Sequence, residues 1–158
     1  MTIDISHAER ALPAPFESAT VEDAMSPGVI SCPPETPLRV VARMMATFNV
    51  HSVFVFEHRN EDDEDAQLWG IVSDLDLVAA ARLDVDERTA GGSAVTPIVA
   101  VRTDARLAHA ADLMAQHGVA HLAVVEPASG RPIGVISTLD IARAIAVERG
   151  VAETQASG

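Results

Sequence analysis

An α/β (α+β) fold made of two β-α-β-β-α repeats, packed as a pseudo-twofold pair, is the architecture this sequence predicts. Three observations lead to it: the second half of the chain nearly repeats the first, each half runs through the same order of apolar segments and turn residues, and each is too small to stand alone. Ala42–Glu57 lies over Ala111–Glu126 at a constant offset of 69, with Leu38 on Leu107, Met45 on Met114 and Val50 on Val119. Gly70–Asp76 then lies over Gly134–Asp140 at an offset of 64, the difference being the acidic insertion Glu61–Asp65 in the first copy. Self-similarity of this kind marks a repeat architecture. A unit of about 60 residues buries too little surface to be stable by itself, so the two copies should pack through their sheets or helices.

The elements follow in order. Residues 1–19 carry two prolines and no sustained period, and read as a tail that is mobile or docks on a partner. The repeats are expected at 20–88 and 89–150, with a second tail at 151–158. A proline turn, Ser26-Pro27 or Thr96-Pro97, precedes a short apolar strand at Val29–Cys32 or Ile98–Val101. The helix that follows has Val40, Val41, Met44, Met45 and Phe48 on one apolar stripe, and its twin has Leu107, Ala110, Ala111 and Met114. The second strand, Val53–Phe56 or Leu122–Val125, is continuously apolar and so should be covered on both faces. A third strand, Gly70–Val72 or Gly134–Ile136, breaks at Ser73 or Ser137 into a closing helix. The alanine-rich closing helices, with Val78-Ala-Ala-Ala-Arg82 and Ile141–Val147, present small side chains suited to close helix approach and are the candidate homodimer interface.

Composition limits the function classes. The chain of 158 residues is 48% hydrophobic and 22% charged, which fits a packed domain rather than a disordered one. All 11 basic residues are arginines, and against 23 acidic residues they leave a net charge of -12, which repels nucleic acid and anionic membrane. A single cysteine, Cys32, no basic-plus-apolar leader and no apolar run near 18 residues fit a cytoplasmic location. No nucleophile elbow and no phosphate-binding P-loop occur, there is no lysine, and Asp74 and Asp76 point to different helix faces, so the chain is not expected to be an enzyme. His117 and His121 stand four apart, but with His51, His58 and His109 they form no Cys/His set of a zinc site, and Glu61–Asp65 lacks the glycine and spacing of a calcium loop, so no metal is expected.

The landmarks resemble a known family. A repeat that opens as Val21-Glu-Asp-Ala-Met-Ser-Pro27, passes through an apolar helix to a strand such as His121-Leu-Ala-Val-Val125 and closes on Gly-hydrophobic-hydrophobic-Ser-x-x-Asp is similar to the cystathionine β-synthase (CBS) domain. Two tandem copies, over roughly residues 20–150, resemble a CBS pair, or Bateman module. The resemblance implies a regulatory module, often a homodimer of pairs stacked as a flat disc. It also implies an adenosine-containing ligand (AMP, ADP, ATP or S-adenosylmethionine) bound between the repeats, with no cofactor required. Two departures stand out: Phe54 and Ala123 occupy the place of a proline in the second strand, and Met25 has no clear counterpart near Ser93-Ala-Val-Thr96. Phe54 is bulky enough to crowd the first adenine pocket.

The Ser-x-x-Asp corner carries the chemistry. A serine that ends a strand and opens a helix exposes backbone N–H groups at the positive end of the helix dipole, a place for an anion. Asp76 or Asp140, one turn inward, offers a carboxylate to ribose hydroxyls, the role the resemblance also carries onto these positions. The same spacing is that of a capping box, and the two uses compete for the aspartate. The adenine is expected against Thr96, Ile98, Ala120 and Leu122 in the second site, or against Ser26, Val29, Ser52 and Val53 in the first. Copy two has Thr138 where copy one has Asp74, so a phosphate is expected at Ser137, Thr138 and Asp140 with Arg131, His121 or Arg143 as cationic partners. The first site, at Ser73 and Asp76, should stay empty or take a ligand of little negative charge. Met44, Met45 and Met114 read as core or dimer packing, and Trp69 as a seal on the edge of the first strand pair or a base-stacking platform. With no catalytic domain in the chain, the expected output is signalling to a protein partner in trans; the alternative is a dimeric interaction scaffold with vestigial clefts.

Overall fold

Thr20 and Thr89 open the two copies, and both cap a single helical turn: α1 (Val21–Ala24) in the first and a twin at Ala90–Ser93 in the second. The computed structural model describes residues 14–58, 66–95 and 98–147; the acidic insertion, Thr96-Pro97, residues 1–13 and the C-terminal tail lie outside the described residues. After α1 come β1 (Ser26–Pro27), β2 (Ser31–Cys32), α2 (Leu38–Phe48), β3 (Ser52–Glu57), β4 (Gln67–Ser73) and α3 (Asp74–Ala80). Copy two runs α4 (Ala90–Ser93), β5 (Ala100–Arg102), α5 (Leu107–His117), β6 (His121–Val125), β7 (Pro132–Ser137) and α6 (Thr138–Ile145). The long helices stop at the same place, Asn49 and Gly118, both left-handed, the conformation that glycine and asparagine adopt most readily.

Two mixed sheets result, in the orders β1-β7-β6-β5 and β2-β3-β4. In each, a parallel pair (β2 with β3, β5 with β6) is joined to an antiparallel hairpin (β3 with β4, β6 with β7), and both hairpins carry an irregularity at matched positions, Val55/Phe56 and Val124/Val125. The opening segment of each copy crosses to the other. β1 pairs antiparallel with β7, Ser26 opposite Val135, and Val95 bridges to Ile71 of β4 in the same way. Thr20 bridges to Arg106 ahead of α5, and Thr89 to Pro37 ahead of α2.

This exchange corrects the expected register of the second opening turn. The offset of 69 extends back to Thr20 over Thr89, so Ser26 corresponds to Val95 rather than to Thr96, and Met25 to Ala94. The counterpart of Met25 is a small residue, which is why matching side-chain types does not find it.

The cores follow the exchange. Ala19 and Val21 of copy one are buried with Val101, Leu107, Leu122, Val124 and Ile136 of copy two, while Ala90 of copy two is buried with Leu38, Val41, Val53 and Val72 of copy one. Residues 14–19 are therefore not a loose tail. Ala14 and Phe16 pack on the second core, and the Phe16 N–H donates to the Ala144 carbonyl at 3.3 Å. A third cluster joins the sheets face to face through Phe54 and Ile71 on one side and Ala123 and Val135 on the other. Phe54 and Ala123 are twins, one large and one small, so a single ring fills the space beside the pseudo-twofold axis.

The stripe expected on α2 is wider than its buried face. Leu38, Val41 and Met45 are buried, whereas Val40 and Phe48 are exposed, because a helix on one side of a three-stranded sheet covers only a narrow arc. Among the described residues no helix is long and apolar enough to cross a membrane.

Gly134 makes the β1–β7 pairing possible: a Cβ there would lie 2.5 Å from the Ser26 carbonyl oxygen and 2.6 Å from the Met25 methyl. Gly134→Ala is expected to cost about 1–3 kcal/mol by overpacking, read as a lower urea midpoint. An unchanged midpoint would show that β1 does not hold the copies together.

Candidate functional site

Because β1 lies beside β7, the opening turn of copy one sits next to the Ser-x-x-Asp corner of copy two. A cleft of about 590 Å³ forms there, with Ser26, Val29, Ser52 and Phe54 from copy one and His121, Ser137, Asp140 and Arg143 from copy two on its walls. Its pseudo-symmetric twin, about 250 Å³, brings Ser73 and Asp76 of copy one to Ile98, Ala120 and His121 of copy two. The expected groupings, each drawn within a single repeat, are thus crossed. Val29 and Ser52 belong with Asp140, and Ile98 and Ala120 with Asp76. Phe54 likewise stands in the Asp140 cleft and not beside Asp76.

Several expected residues lie elsewhere. Leu122 and Val53 are fully buried in the two repeat cores and reach neither cleft. Thr138 faces a shallow apolar dent between α5 and α6 on the outside of the molecule. Arg131 stands in the β6–β7 turn, the whole six-residue length of β7 from Ser137, or about 20 Å at ~3.3 Å per residue. It cannot serve a ligand at Asp140. Thr96 is outside the described residues. Trp69 is outside both clefts, which removes it as a stacking platform there.

The aspartates act as caps. Asp140 Oδ2 accepts the Ser137 N–H at 2.9 Å and the Ser137 hydroxyl at 3.0 Å, while the Asp140 N–H donates to Ser137 Oγ at 3.4 Å. Asp76 does the same with Ser73, at 2.7 Å and 2.9 Å. The other oxygen decides what remains. Asp140 Oδ1 lies 3.6 Å from Arg143 Nη1, with the carboxylate almost fully buried and the guanidinium half exposed at the cleft wall. Oδ2 is thus committed to the cap, whereas Oδ1 faces Arg143.

The helix start offers less to an anion than a bare N-terminus. The Thr138 N–H donates to the Ala120 carbonyl at 3.0 Å, and the Asp74 N–H to that of His51 at 2.9 Å. An anion at the Asp140 cleft depends on side-chain cations instead. Arg143 supplies one; its twin in copy one is Ala79, so the Asp76 cleft has no arginine among its described lining residues.

His121 forms part of both clefts. Burial lowers its pKa, which outweighs the opposing pull of Asp74, Asp140 and Asp76, while His51 adds to the lowering. His51 in turn meets Asp74, Nδ1 to Oδ2 at 2.9 Å. Partial burial pushes the Asp74 pKa up, but the bond to His51, the Leu75 N–H and the charges of His51 and His121 outweigh it, so the net shift is downward.

A family model for the CBS domain matches residues 21–83 and again 93–147. The chain belongs to the CBS domain family. No curated protein gives a significant match. A CBS-domain-containing protein from Agrobacterium tumefaciens is 21% identical, with a TM-score of 0.67 over 79% of this chain and 92% of that one, which agrees in fold. A CBS domain protein from Pyrobaculum aerophilum, solved as a complex with AMP, is 25% identical with a TM-score of 0.65 over 89% of this chain and 100% of that one. Hypoxic Response Protein I, solved with two coordinated zinc ions, is 28% identical with a TM-score of 0.58 over 79% and 98%. Among the described residues of this CBS pair, no group of three or more His, Cys, Asp or Glu side chains is placed to hold a metal.

The lowered pKa of His121 has a definite sign in stability. The unfolded chain takes up a proton near the ordinary pKa of 6.5 while the folded chain resists it. The stability of the neutral form is thus fully present above 6.5 and is lost as pH falls towards the folded pKa. Urea midpoints should drop between pH 7 and 5, and His121→Gln should flatten that slope. Parallel slopes for the two proteins would contradict the assignment.

Proposed function

We propose that this CBS pair is a regulatory module that binds an adenosine-type ligand in the Asp140 cleft. The observation that carries the reading is the division of labour on one carboxylate: Oδ2 caps α6, while Oδ1 is left beside Arg143 on a cleft of about 590 Å³. In this reading the ribose hydroxyls donate to Oδ1, and the base lies against Val29, Ile30 and Val50. A phosphate takes the Arg143 guanidinium, which turns from Asp140 to the stronger anion. AMP is the first candidate, since the Pyrobaculum aerophilum relative was solved with it; ADP, ATP and S-adenosylmethionine follow from the same chemistry. The Asp76 cleft, smaller and without an arginine, suits a ligand of little negative charge.

The signal would leave through the closing helices to a homodimer partner or a protein acting in trans. On α3 and α6, Leu75 is 67% exposed, Val78 66%, Leu139 50% and Ile145 62%. Apolar side chains this exposed on paired helices fit a covered face. Leu75 and Leu139 also touch the two clefts, so a ligand and a neighbouring subunit would share the same helices.

Because Asp140→Ala removes a cap and costs about 1 kcal/mol by itself, Arg143 is the cleaner probe. AMP should raise the melting temperature, by the equivalent of about 2.7 kcal/mol at a hundredfold excess over Kd. Arg143→Gln should weaken AMP about tenfold, the value of one charged hydrogen bond, and leave adenosine unchanged. No thermal response to any adenosine compound would leave the scaffold reading, which the capped aspartates favour. Leu75→Glu with Leu139→Glu should shift a dimer to monomer in sedimentation, and an unaltered sedimentation coefficient would remove the helical face as the interface.

A further inference from the structure

A concavity of about 700 Å³ lies apart from both clefts, at the far end of the β3–β4 hairpin. Its walls are Pro33 and Pro34 from the loop after β2, Phe56 from β3 and Trp69 from β4, with the carboxylates of Glu35 and Glu57 at its rim. Trp69 is 44% exposed, unusual for the only tryptophan of a chain with no tyrosine. Its ring is not free to swing: the indole N–H donates to the Gly91 carbonyl at 3.2 Å, and Gly91 is so close to Pro34 that a Cβ would lie 2.8 Å from the proline Cβ. The groove is therefore pre-organised by contacts between β4, α4 and the proline loop. Among the described residues that line it there is no arginine, and His58 is the one basic side chain.

We propose that this groove docks an extended, arginine-bearing segment of a partner protein. An indole face held open to solvent beside two carboxylates attracts a guanidinium both through the ring quadrupole and through charge. Exposed proline and aromatic walls suit an extended chain, which brings little conformational entropy to lose. The net charge of -12 steers a cationic segment to this surface and turns away acidic ones. The groove thus specifies the chemistry of a partner, independently of whether the clefts hold a nucleotide.

The single tryptophan makes the test direct, because intrinsic indole fluorescence reports this groove alone. The probe is an acetylated, amidated peptide of three Arg-Pro units, titrated into the full chain at neutral pH, with a peptide of three Gln-Pro units as control. The Arg-Pro peptide should change Trp69 fluorescence saturably, and more weakly as salt rises. The double variant Glu35→Gln, Glu57→Gln, at exposed positions that leave the fold intact by circular dichroism, should weaken it about fivefold or more. A non-saturating response, equal binding of the Gln-Pro peptide, or an unchanged affinity in the double variant would each overturn the proposal.

Discussion

The exchange of opening segments between the copies is the constraint on which the rest of this molecule depends. β1 belongs by sequence to copy one and by hydrogen bonding to the sheet of copy two, and Val95 repeats the arrangement in the other direction. Neither core is complete without residues from the other copy, since Val21 and Ala90 are each fully buried in the opposite repeat. The exchange also places each Ser-x-x-Asp corner beside the other copy's proline turn. Composite clefts are the direct result.

The two clefts are equivalent in backbone and unequal in chemistry. Each has a capped aspartate, a serine at the strand end and a leucine on the first helical turn. Around that common frame, Arg143 faces one cleft where Ala79 is its twin, His51 stands where the other has Ala120, and Phe48 where the other has His117. A duplicated backbone thus carries two different electrostatic environments. The pair shares His121, whose burial keeps it neutral near neutral pH and whose neighbours include carboxylates from both corners.

The capping box holds a buried carboxylate in a fixed orientation at the edge of a cleft. A buried carboxylate is costly unless its acceptors are satisfied. At Asp140 one oxygen is satisfied by the N–H and hydroxyl of Ser137, and the other has a distant cation at 3.6 Å. The second oxygen is thus held in position by the bonds to the first, with little rotational freedom. The Trp69 groove uses the same principle of fixed geometry through a different bond, that of the indole N–H to Gly91.

What the sequence determined alone was the repeat, the element order and the corner residues. These rest on local signals: an offset that persists over Leu38–Glu57, the stripe on α2 and α5, and a serine three residues ahead of an aspartate. Tertiary structure alone decided which halves of each site meet. Nothing within one repeat says that Val29 and Ser52 stand with Asp140, because that follows from β1 pairing with β7, a contact between residues more than a hundred positions apart. The same limit explains Arg131: it is close to Ser137 in number, yet an extended strand carries six residues the full height of the sheet. Local pattern is written by neighbours along the chain, whereas the company a side chain keeps is set by which strands find each other across it.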